Sequence, residues 1–524
     1  MAGSFKDRWP LLVVLCVFVA LKIPHLSHPY YWDESWPYAT AIKALHDHGI
    51  SLMPNAIDPE ISRGHPLFFH ALGAAWMKVF GPSHVSMHSF ALVISLLFLW
   101  LVYEAGLRLF NMRVAVMALV LVASQELFFV QSSMVLLEML VALLGFAAMY
   151  YYVRARYVLA SLCLAMLFYT KESGLIVGFV LGIDALTGLW RGREHRKDTI
   201  ARILCVGIPT VLAGVFFLLN KLLHGWYIFP FYASIMERRW DVLWYRFHIG
   251  CVSDELYTSY KYIYYLLLAI LATITAIRYR KWRYLSILLL VVLVFYMVND
   301  MRTGRLMPSV PFFIVFSASW GFVVWQYAHR SVFAQMQQRR MLVLTGGLVF
   351  CFMLYSTFNY YTYRYMLLSI IPMLFIAAAL FDHFAGMLHR SVYYLCFVVF
   401  GITSYVAYST NEGFGDDDLG AYDGMDVQQH VVDVLEKGGY YDSNVGTASF
   451  VSRQHLLDPA TGYLGGQRTF RTVRWDIDER TDIAVFTNIE PDGRREVIMK
   501  DPAYELMDRY EKGRVWSEIY RRRR

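Results

Sequence analysis

Long apolar blocks separated by short polar loops dominate the chain up to residue 409. Most of these blocks run for about 16 to 22 residues, the length that an α-helix needs to cross the hydrocarbon core of a bilayer. The blocks predict thirteen membrane spans, at residues 9–24, 84–107, 114–131, 135–153, 157–170, 174–190, 202–222, 261–278, 284–299, 308–327, 341–358, 365–381 and 391–409. The pattern therefore predicts an all-α polytopic membrane part over residues 1–409.

Residues 410–524 have a different, polar pattern that predicts a second, small domain. One stretch has helical spacing, two have the short apolar alternation of strands, and a fourth has helical spacing again. In chain order they read "MDVQQHVVDVLEKGG", "NVGTASFVS", "DIAVFTNI" and "PAYELMDRYEKG". This alternation predicts a small α/β domain, and the closing "YRRRR" is expected to be a solvated end.

The loops predict the orientation of the chain. The short loops on the side of the N-terminus are rich in Lys and Arg, as in "WRGREHRKDTIAR" and "RYRKWR", so this side is predicted to be cytoplasmic. The first apolar block lacks a small-residue cleavage site and is interpreted as a retained span. Thirteen spans then place the C-terminal domain outside. The first outer loop, residues 25–83, holds half-apolar pieces that suit amphipathic helices lying in the membrane interface.

Composition and charge agree with a membrane protein. The 524 residues are 57% hydrophobic and only 17% charged, whereas soluble chains carry about 25% charged residues. The net charge of +7 is divided by region, with 32 Lys/Arg against 19 Asp/Glu (+13) before residue 410 and 16 against 22 (−6) after it. This division excludes a nucleic-acid partner. The six cysteines show neither a pairing pattern nor a metal-ligand spacing.

Acidic residues at the outer membrane edge are the first candidates for chemistry. Asp33 and Glu34 lie among aromatic residues in "YYWDESW", just beyond the first span. An alternative interpretation is that Asp33 caps the following helix and Glu34 lies in its first turn. Glu138 lies a few residues into an apolar span that begins at the outer face. A buried acid there is costly unless it is paired or lines a polar cavity, so it is a candidate functional residue.

Cationic residues gather at the same predicted leaflet. They occur at outer turns and span ends, and they are Lys171, Arg305, Arg364, Arg63 and His65. Each one taken alone could anchor the protein to lipid headgroups. Together with the acids they predict a pocket for proton chemistry on a bound phosphate or diphosphate, since Arg offers a bidentate fork and Lys a point charge. The neighbouring apolar helices would hold a long isoprenoid chain.

These motifs resemble the GT-C membrane glycosyltransferases, specifically protein O-mannosyltransferases and bacterial lipid A aminoarabinose transferases. The matching pieces occur in the family's order over residues 9–409. They are "WDESWPYATA", "GHPLFFHALGAAWMKVFG", Glu138 before the fourth span, "TKESG" and "RYMLLSIIP". The resemblance implies a GT-C fold with about thirteen spans in the inner (cytoplasmic) membrane. It also implies a periplasmic or extracellular C-terminal domain.

The resemblance also implies an activity, which is the inverting transfer of a hexose or pentose from an isoprenoid-phosphate donor to an acceptor on the outer face. Asp33 would be the general base or acceptor-orienting carboxylate, supported by Glu34, and Glu138 the second acid. Lys171, Arg305 and Arg364 would hold the donor phosphate as charge develops on it. Relatives carry a cation in the first outer loop at the position where this chain has His65. Arg63 or a protonated His65 is therefore expected to take the place of that cation.

The sequence does not decide the acceptor, the type of donor phosphate or the need for a metal ion. The acceptor is a protein hydroxyl, lipid A or a glycan, and the donor a mono- or diphosphate. No cofactor is expected to be required, although the oxygen ligands of Asp33 and Glu138 would suit Mg²⁺ or Mn²⁺. Two alternatives of other classes are a transporter or flippase for lipid-linked sugars and a non-catalytic membrane assembly protein. The absence of internal repeats and the clustering of charges at outer turns favour the enzyme.

Overall fold

The computed structural model of the chain describes residues 8–523 except 192–195, 257, 281, 303–310, 312–313, 316, 320, 324–332, 360–361 and 411–412. From the N-terminus to the end of the first outer loop, the helices are α1 (Trp9–Lys22), α2 (Tyr38–His48), α3 (Pro59–Ser62) and α4 (Phe68–Phe80). The next seven are α5 (His84–Leu109), α6 (Met112–Ala123), α7 (Glu126–Gln131), α8 (Glu138–Val153), α9 (Tyr157–Phe168), α10 (Leu175–Arg191) and α11 (Arg196–His224).

The second outer loop contains α12 (Pro230–Ile235), α13 (Trp240–Tyr245) and α14 (Val252–Leu256). The remaining apolar helices are α15 (Tyr262–Arg278), α16 (Arg283–Arg302), α17 (Met336–Phe358), α18 (Leu367–Leu388) and α19 (Arg390–Thr410). The C-terminal domain contains α20 (Gly420–Lys437), α21 (Phe450–Leu457) and α22 (Arg494–Lys500). Its strands are β1 (Asn444–Gly446), β2 (Thr472–Arg474), β3 (Ile483–Thr487), β4 (Tyr504–Lys512) and β5 (Val515–Arg522).

The predicted span 114–131 is divided between α6 and α7, with a break at Ser124 and Gln125. The predicted span 308–327 lies largely outside the described residues, and each of the other predicted spans corresponds to one helix. Within the described residues, five helices are long and apolar enough to cross a membrane: His84–Leu109, Lys197–His224, Met336–Phe358, Tyr363–Leu388 and Arg390–Thr410. A bent pair, Ser253–Tyr260 and Tyr262–Arg278, would make a sixth, and the others are shorter apolar helices of 10–17 residues. The predicted fold class, a polytopic helical part followed by a small α/β domain, is confirmed.

Helix α18 lies at the centre of the helical part. In the segment Tyr363–Leu388, 94% of the most apolar 18-residue stretch is buried. The helix contacts α6, α8, α15, α17 and α19. The neighbouring α5 and α6 approach each other closely, because a Cβ on Gly106 would lie 2.5 Å from the Cα of Ala115. Helix α18 is enclosed by several neighbours, and the turn Tyr363–Met366 that precedes it carries Arg364.

The first outer loop folds as two packed helices, α2 and α4, as its half-apolar pattern predicts. The apolar faces meet so tightly that a Cβ on Gly73 would lie 2.8 Å from the side chain of Ile42. Helix α4 ends at Gly81, whose positive φ of 85° reverses the chain towards α5. This compact loop carries Asp33 and Glu34 and contacts α5 and α11.

The C-terminal domain is a mixed sheet with helices, in the strand order β2-β1-β3-β5-β4. The strands β2, β1 and β3 are parallel, whereas β5 pairs antiparallel with both β3 and β4. The predicted helix in "MDVQQHVVDVLEKGG" and the strand in "DIAVFTNI" are confirmed as α20 and β3.

Two local predictions in this domain are wrong. The stretch "PAYELMDRYEKG" forms strand β4 and not a helix, because pairing with β5 along its length outweighs its local helical spacing. The end of "NVGTASFVS" enters helix α21, which the Ser449 hydroxyl caps by accepting a hydrogen bond from the Ser452 amide. In the stretch "YRRRR", Arg521 and Arg523 are exposed as predicted, and strand β5 continues to Arg522.

The segment that follows α19 packs onto the helical part. The hydroxyl of Tyr31 donates to the carbonyl oxygen of Phe414 at 2.7 Å, and the amide of Gln131 donates to the carbonyl oxygen of Asp416 at 2.6 Å. The buried ammonium of Lys22 donates to the Tyr422 hydroxyl at 2.8 Å. The described part of the chain after α19 is thereby attached to the end of α1, to Tyr31 and to the end of α7.

Candidate functional site

Three carboxylates from distant parts of the sequence surround the guanidinium of Arg364. One terminal nitrogen of Arg364 donates to Asp33 and the other donates to Asp416, while Nε lies 3.6 Å from Oε1 of Glu138. Arg364 is only 2% exposed, so these contacts are shielded from water. The structure therefore brings the predicted residues Asp33, Glu138 and Arg364 into one cluster.

Lys171 joins this cluster through Glu138. Its ammonium lies 2.9 Å from Oε1 of Glu138 and 3.7 Å above the ring centroid of Tyr365. Glu138 is the first residue of α8 and does not lie within the helix as predicted, so the positive end of the helix dipole also favours its carboxylate. Its second oxygen, Oε2, is buried and has no hydrogen-bond partner among the described residues. Glu138 thus links the two cations and keeps one oxygen unpaired.

Asp33 does not cap the helix that follows it. Helix α2 starts at Tyr38, after Pro37, without a side-chain cap, so the capping interpretation is wrong. Asp33 lies instead in a short 3₁₀ turn, Trp32–Glu34, and its side chain is 28% exposed. An acid that is both paired with Arg364 and partly open to water is accessible to an incoming hydroxyl group.

Glu34 is fully buried and faces away from Arg364. Its carboxylate accepts hydrogen bonds from the backbone amides of Val135 at 2.6 Å and Tyr31 at 3.3 Å, and it lies 3.1 Å from Nε2 of His88. The other ring nitrogen of His88 donates to the carbonyl oxygen of Leu26. These contacts fasten the Asp33 turn to the start of α8, so they favour a positioning role for Glu34.

His65 lies at one end of a small hydrogen-bonded chain. Its Nδ1 is 2.7 Å from Oε2 of Glu172, and its Nε2 is 2.9 Å from the hydroxyl of Tyr232. Because the carboxylate can only accept, Nδ1 carries the proton, and in the neutral imidazole the Tyr232 hydroxyl donates to Nε2. A second proton on Nε2 would make His65 cationic. A cationic His65 is what the sequence analysis expects in place of the cation that relatives carry in this loop.

The other two predicted cations are placed differently. The guanidinium of Arg63 stacks between aromatic rings, 4.6 Å from the centroid of Trp36 and 5.1 Å from that of Phe231, and it does not line the cavity described next. Its backbone is left-handed, with φ of 54°. Arg305 lies outside the described residues. The structure therefore places Lys171 and His65 in the lining of that cavity. Arg364 is joined to Lys171 through Glu138 and, like Arg63, is not part of the lining.

A cavity of about 670 Å³ adjoins the charged cluster. Its polar end is formed by Lys171, Glu138, His65, Glu172, Tyr232 and Tyr365. Most of its remaining wall is apolar and comes from α10, α11 and α17, with Phe179, Phe217, Phe352 and Leu354 among the lining residues. The cavity is thus amphipathic, with an ionised end and a long hydrocarbon wall.

The ionised end is strongly perturbed by burial and by its own charges. Burial alone would lower the pKa of the Lys171 ammonium, but the adjacent Glu138 carboxylate holds it above its usual value. Burial would likewise raise the pKa of Glu172, yet the charge and hydrogen bond of His65 hold it below its usual value. Burial raises the pKa of Asp416 well above its usual range, although Arg364 opposes that rise. The cluster therefore favours an ionised Lys171 and Glu172 and a readily protonated Asp416.

No group of three or more His, Cys, Asp or Glu side chains is placed to hold a metal ion in the part of the chain that the structure describes. Asp33 and Glu138 lie against different nitrogens of the Arg364 guanidinium, which suits ion pairing with Arg364. The expectation that no cofactor is required, with Mg²⁺ or Mn²⁺ as an option, stays a prediction.

Four residues of the site were not predicted from the sequence. Glu172 lies in the quoted stretch "TKESG" but was not among the candidate residues, and Tyr232 and Tyr365 are two of the many aromatic residues of this chain. Asp416 belongs to the acidic run "GDDD", which is typical of a solvated linker. Of these four residues, only Asp416 could have been suggested by the sequence. Three consecutive acids follow the last predicted span, on the side of the membrane where the cations are predicted to lie.

Comparisons with known proteins give matches among solved structures. No protein-family model and no curated protein matches the sequence. The chain is similar to the S. cerevisiae protein O-mannosyltransferase Pmt1-Pmt2 complex bound to the sugar donor, at 17% identity and a TM-score of 0.35. That match covers 42% of this chain and 34% of that chain, so this chain spans about a third of that protein's length.

The chain is also similar to ArnT from Cupriavidus metallidurans. The match to ArnT bound to undecaprenyl phosphate has 13% identity and a TM-score of 0.49, and the match to apo ArnT has 14% and 0.39. Both cover 98% of this chain and 98% of ArnT. These structures belong to the two groups of glycosyltransferases that the sequence motifs resemble. At such identities and TM-scores, the similarity assigns neither a substrate nor a residue role to this chain.

Proposed function

We propose that this chain is an integral-membrane glycosyltransferase, which moves a sugar from an isoprenoid-phosphate donor to an acceptor on the outer face of the membrane. The observation that carries the proposal is the amphipathic cavity, in which an apolar wall leads to a cluster of buried cations and acids. A lipid-linked sugar has the same division into a hydrocarbon tail and a charged head.

The apolar wall of the cavity suits the isoprenoid chain. Its side chains come from helices α10, α11 and α17, and Phe179 is 60% exposed while it also lines the cavity. The wall therefore continues onto the surface that the surrounding lipid would cover. The isoprenoid chain lies in lipid before it binds, and its entry into this wall exposes no apolar surface to water. The isoprenoid chain can therefore enter laterally from the bilayer.

The polar end suits a phosphate that carries one negative charge. Among the described lining residues, Lys171 is the one ammonium, and the acids Glu138 and Glu172 flank it. A sugar linked through a phosphodiester has one negative charge, which this single ammonium matches, whereas a diphosphate would add repulsion from the two acids. We therefore propose a monophosphate donor, with protonated His65 as a second contact.

The acids suit the transfer step. Asp33 would take the proton of an acceptor hydroxyl while the hydroxyl oxygen bonds to the anomeric carbon of the sugar. The bond between that carbon and the phosphate oxygen would break, and the leaving lipid phosphate would carry the electron pair. Lys171 would stabilise the charge that develops on the phosphate, and Glu138 would hold Lys171 in place. Attack from the side opposite the phosphate would invert the anomeric centre.

A transfer assay on the purified full-length protein tests the proposal. The protein would be supplied with radiolabelled isoprenoid-phosphate and isoprenoid-diphosphate sugars, a protein, lipid A or glycan acceptor, and either chelator or divalent cations. We expect labelled product from a monophosphate donor. The Asp33→Asn variant should lose most of the turnover and still bind donor, whereas Asp47→Asn, an exposed acid of the same loop, should behave as wild type.

Other outcomes separate the alternatives. A flippase would move the labelled lipid between leaflets of a vesicle without forming product. An assembly protein would do neither, and its properties would not change in Asp33→Asn. The chelator arm decides the metal requirement, and failure of every donor to give product would refute the glycosyltransferase.

A further inference from the structure

The linker between α19 and α20 places a carboxylate inside the charged cluster. Asp416 is 4% exposed, and its carboxylate accepts a hydrogen bond from a terminal nitrogen of Arg364. Residues 413–420 are tightly folded, since a Cβ on Gly420 would lie 2.2 Å from the carbonyl oxygen of Gly413. Their backbone is held by Tyr31 and Gln131. The backbone of Asp416 is therefore fixed beside Arg364, and only its side chain has to move for the contact to open.

This contact uses the donor groups that an anionic ligand would need. The guanidinium of Arg364 has one terminal nitrogen on Asp33, the other on Asp416 and its Nε towards Glu138. A phosphate oxygen can reach Arg364 only by replacing one of these carboxylates. With three carboxylates around one guanidinium, an additional anion would also be repelled unless one acid leaves or becomes protonated.

Asp416 is the acid whose departure disturbs the site least. Glu138 is also held by Lys171, and Asp33 is the acid required for the acceptor hydroxyl. For the Asp416 carboxylate, Arg364 is the hydrogen-bond partner among the described residues. The linker's own anchors are backbone carbonyl oxygens, so they survive when the side chain turns away.

We propose that Asp416 is a further positioning residue of the site, which occupies the place of the donor phosphate on Arg364 until the donor displaces it. The inference rests on the proposed isoprenoid-phosphate donor. In the absence of donor, Asp416 keeps the buried guanidinium paired and aligned beside Asp33. In its presence, the phosphate takes over this pairing, and the Asp416 side chain leaves the cluster.

Binding of a short-chain polyprenyl monophosphate to the full-length protein in nanodiscs tests this competition. Asp416→Asn retains the size of the side chain but removes one of the three carboxylates around Arg364, so an incoming phosphate meets less repulsion there and one terminal nitrogen is more easily taken over. We expect the Kd to fall about tenfold, which corresponds to about 1.4 kcal/mol. Asp417→Asn is the matched control, since Asp417 makes no contact with Arg364, and Asp416→Glu retains the charge. Both should bind as wild type does.

The outcomes separate this inference from the proposed function. A general loss of structure in Asp416→Asn would weaken binding, so tighter binding identifies competition. Equal or weaker binding by Asp416→Asn overturns the inference, even if the transfer assay succeeds. Tighter binding supports it even if no sugar is transferred, in which case only the transfer step of the proposed function fails. If neither wild type nor variant binds the lipid, both are overturned.

Discussion

The contact between Glu138 and Lys171 allows a quantitative test of the charged cluster. The two groups are 2.9 Å apart, and both side chains are less than 10% exposed. Removal of one partner of a buried ion pair leaves an uncompensated charge and costs about 3 to 5 kcal/mol. The lower end applies here, because Lys171 retains the Tyr365 ring and Glu138 retains Arg364. We expect Glu138→Gln and Lys171→Met each to lower the free energy of unfolding by about 3 kcal/mol.

The double variant should lose no more than either single variant. With both charges removed, neither group is left unpaired, and a buried ion pair is often replaced by neutral side chains at little cost. The double variant should therefore lose at most about 3 kcal/mol, where independent sites would lose about 6 kcal/mol, so the coupling free energy should be at least about 3 kcal/mol. Reversible unfolding in mixed micelles would measure all four proteins under the same conditions.

The same four proteins should differ in donor binding. Lys171→Met removes the ammonium from the cavity, whereas Glu138→Gln leaves it in place, so only variants without Lys171 should bind polyprenyl monophosphate much more weakly. Additive losses of stability, with a coupling below about 0.5 kcal/mol, would refute a direct ion pair between Glu138 and Lys171. Unchanged lipid binding in Lys171→Met would refute the assignment of the polar end to the phosphate.

Three further predictions concern the supports of the site. Glu34→Ala leaves a buried imidazole and two backbone amides without their acceptor, so unfolding free energy should fall by about 3 kcal/mol, and a loss below about 0.5 kcal/mol would contradict this role. Gly106→Ala forces a methyl group against the backbone of Ala115 and should cost about 2 kcal/mol in the same measurement, whereas Gly346→Ala, which meets open space, should cost nothing. Burial raises the pKa of Asp418 to about 8, so the folded linker holds a proton that the unfolded chain releases above about pH 4. Linker stability should therefore fall between about pH 4 and 8, by at most about 1.4 kcal/mol per pH unit. Hydrogen exchange of residues 413–420, corrected for intrinsic rates, should show this slope in wild type and a flatter one in Asp418→Asn.

The sequence predicted the residues whose position follows from membrane topology. Asp33, Glu138, Lys171 and Arg364 all lie at ends of apolar blocks, and the alternation of loops assigns every such end to one face. Residues assigned to the same leaflet in this way need only lateral packing of the helices to meet, and the structure brings these four together. Their chemical roles stay predictions, as does the role of Arg305.

The sequence did not predict what depends on the chain folding back on itself. Asp416 reaches Arg364 because the chain folds back onto the helical part after α19. The acidic run that contains Asp416 has no local feature that distinguishes it from a solvated loop. Strand β4 has a locally helical pattern, and only its antiparallel partner β5 makes it extended. Glu34 was grouped with Asp33 because they are adjacent, yet consecutive residues of a tight turn point in different directions, and only one of them faces Arg364.

The central position of α18 has a consequence for altering this protein by design. The Arg364 guanidinium belongs to the turn that precedes α18, the candidate span with the largest buried share. The hydrocarbon wall of the cavity belongs to more peripheral helices, since only 33% of the most apolar stretch of α11 and 44% of that of α17 are buried. Residues such as Phe179 and Leu354 can therefore be enlarged or reduced without shifting the charged groups. Preference for the length or saturation of a lipid tail should thus be adjustable independently of the chemistry at its head.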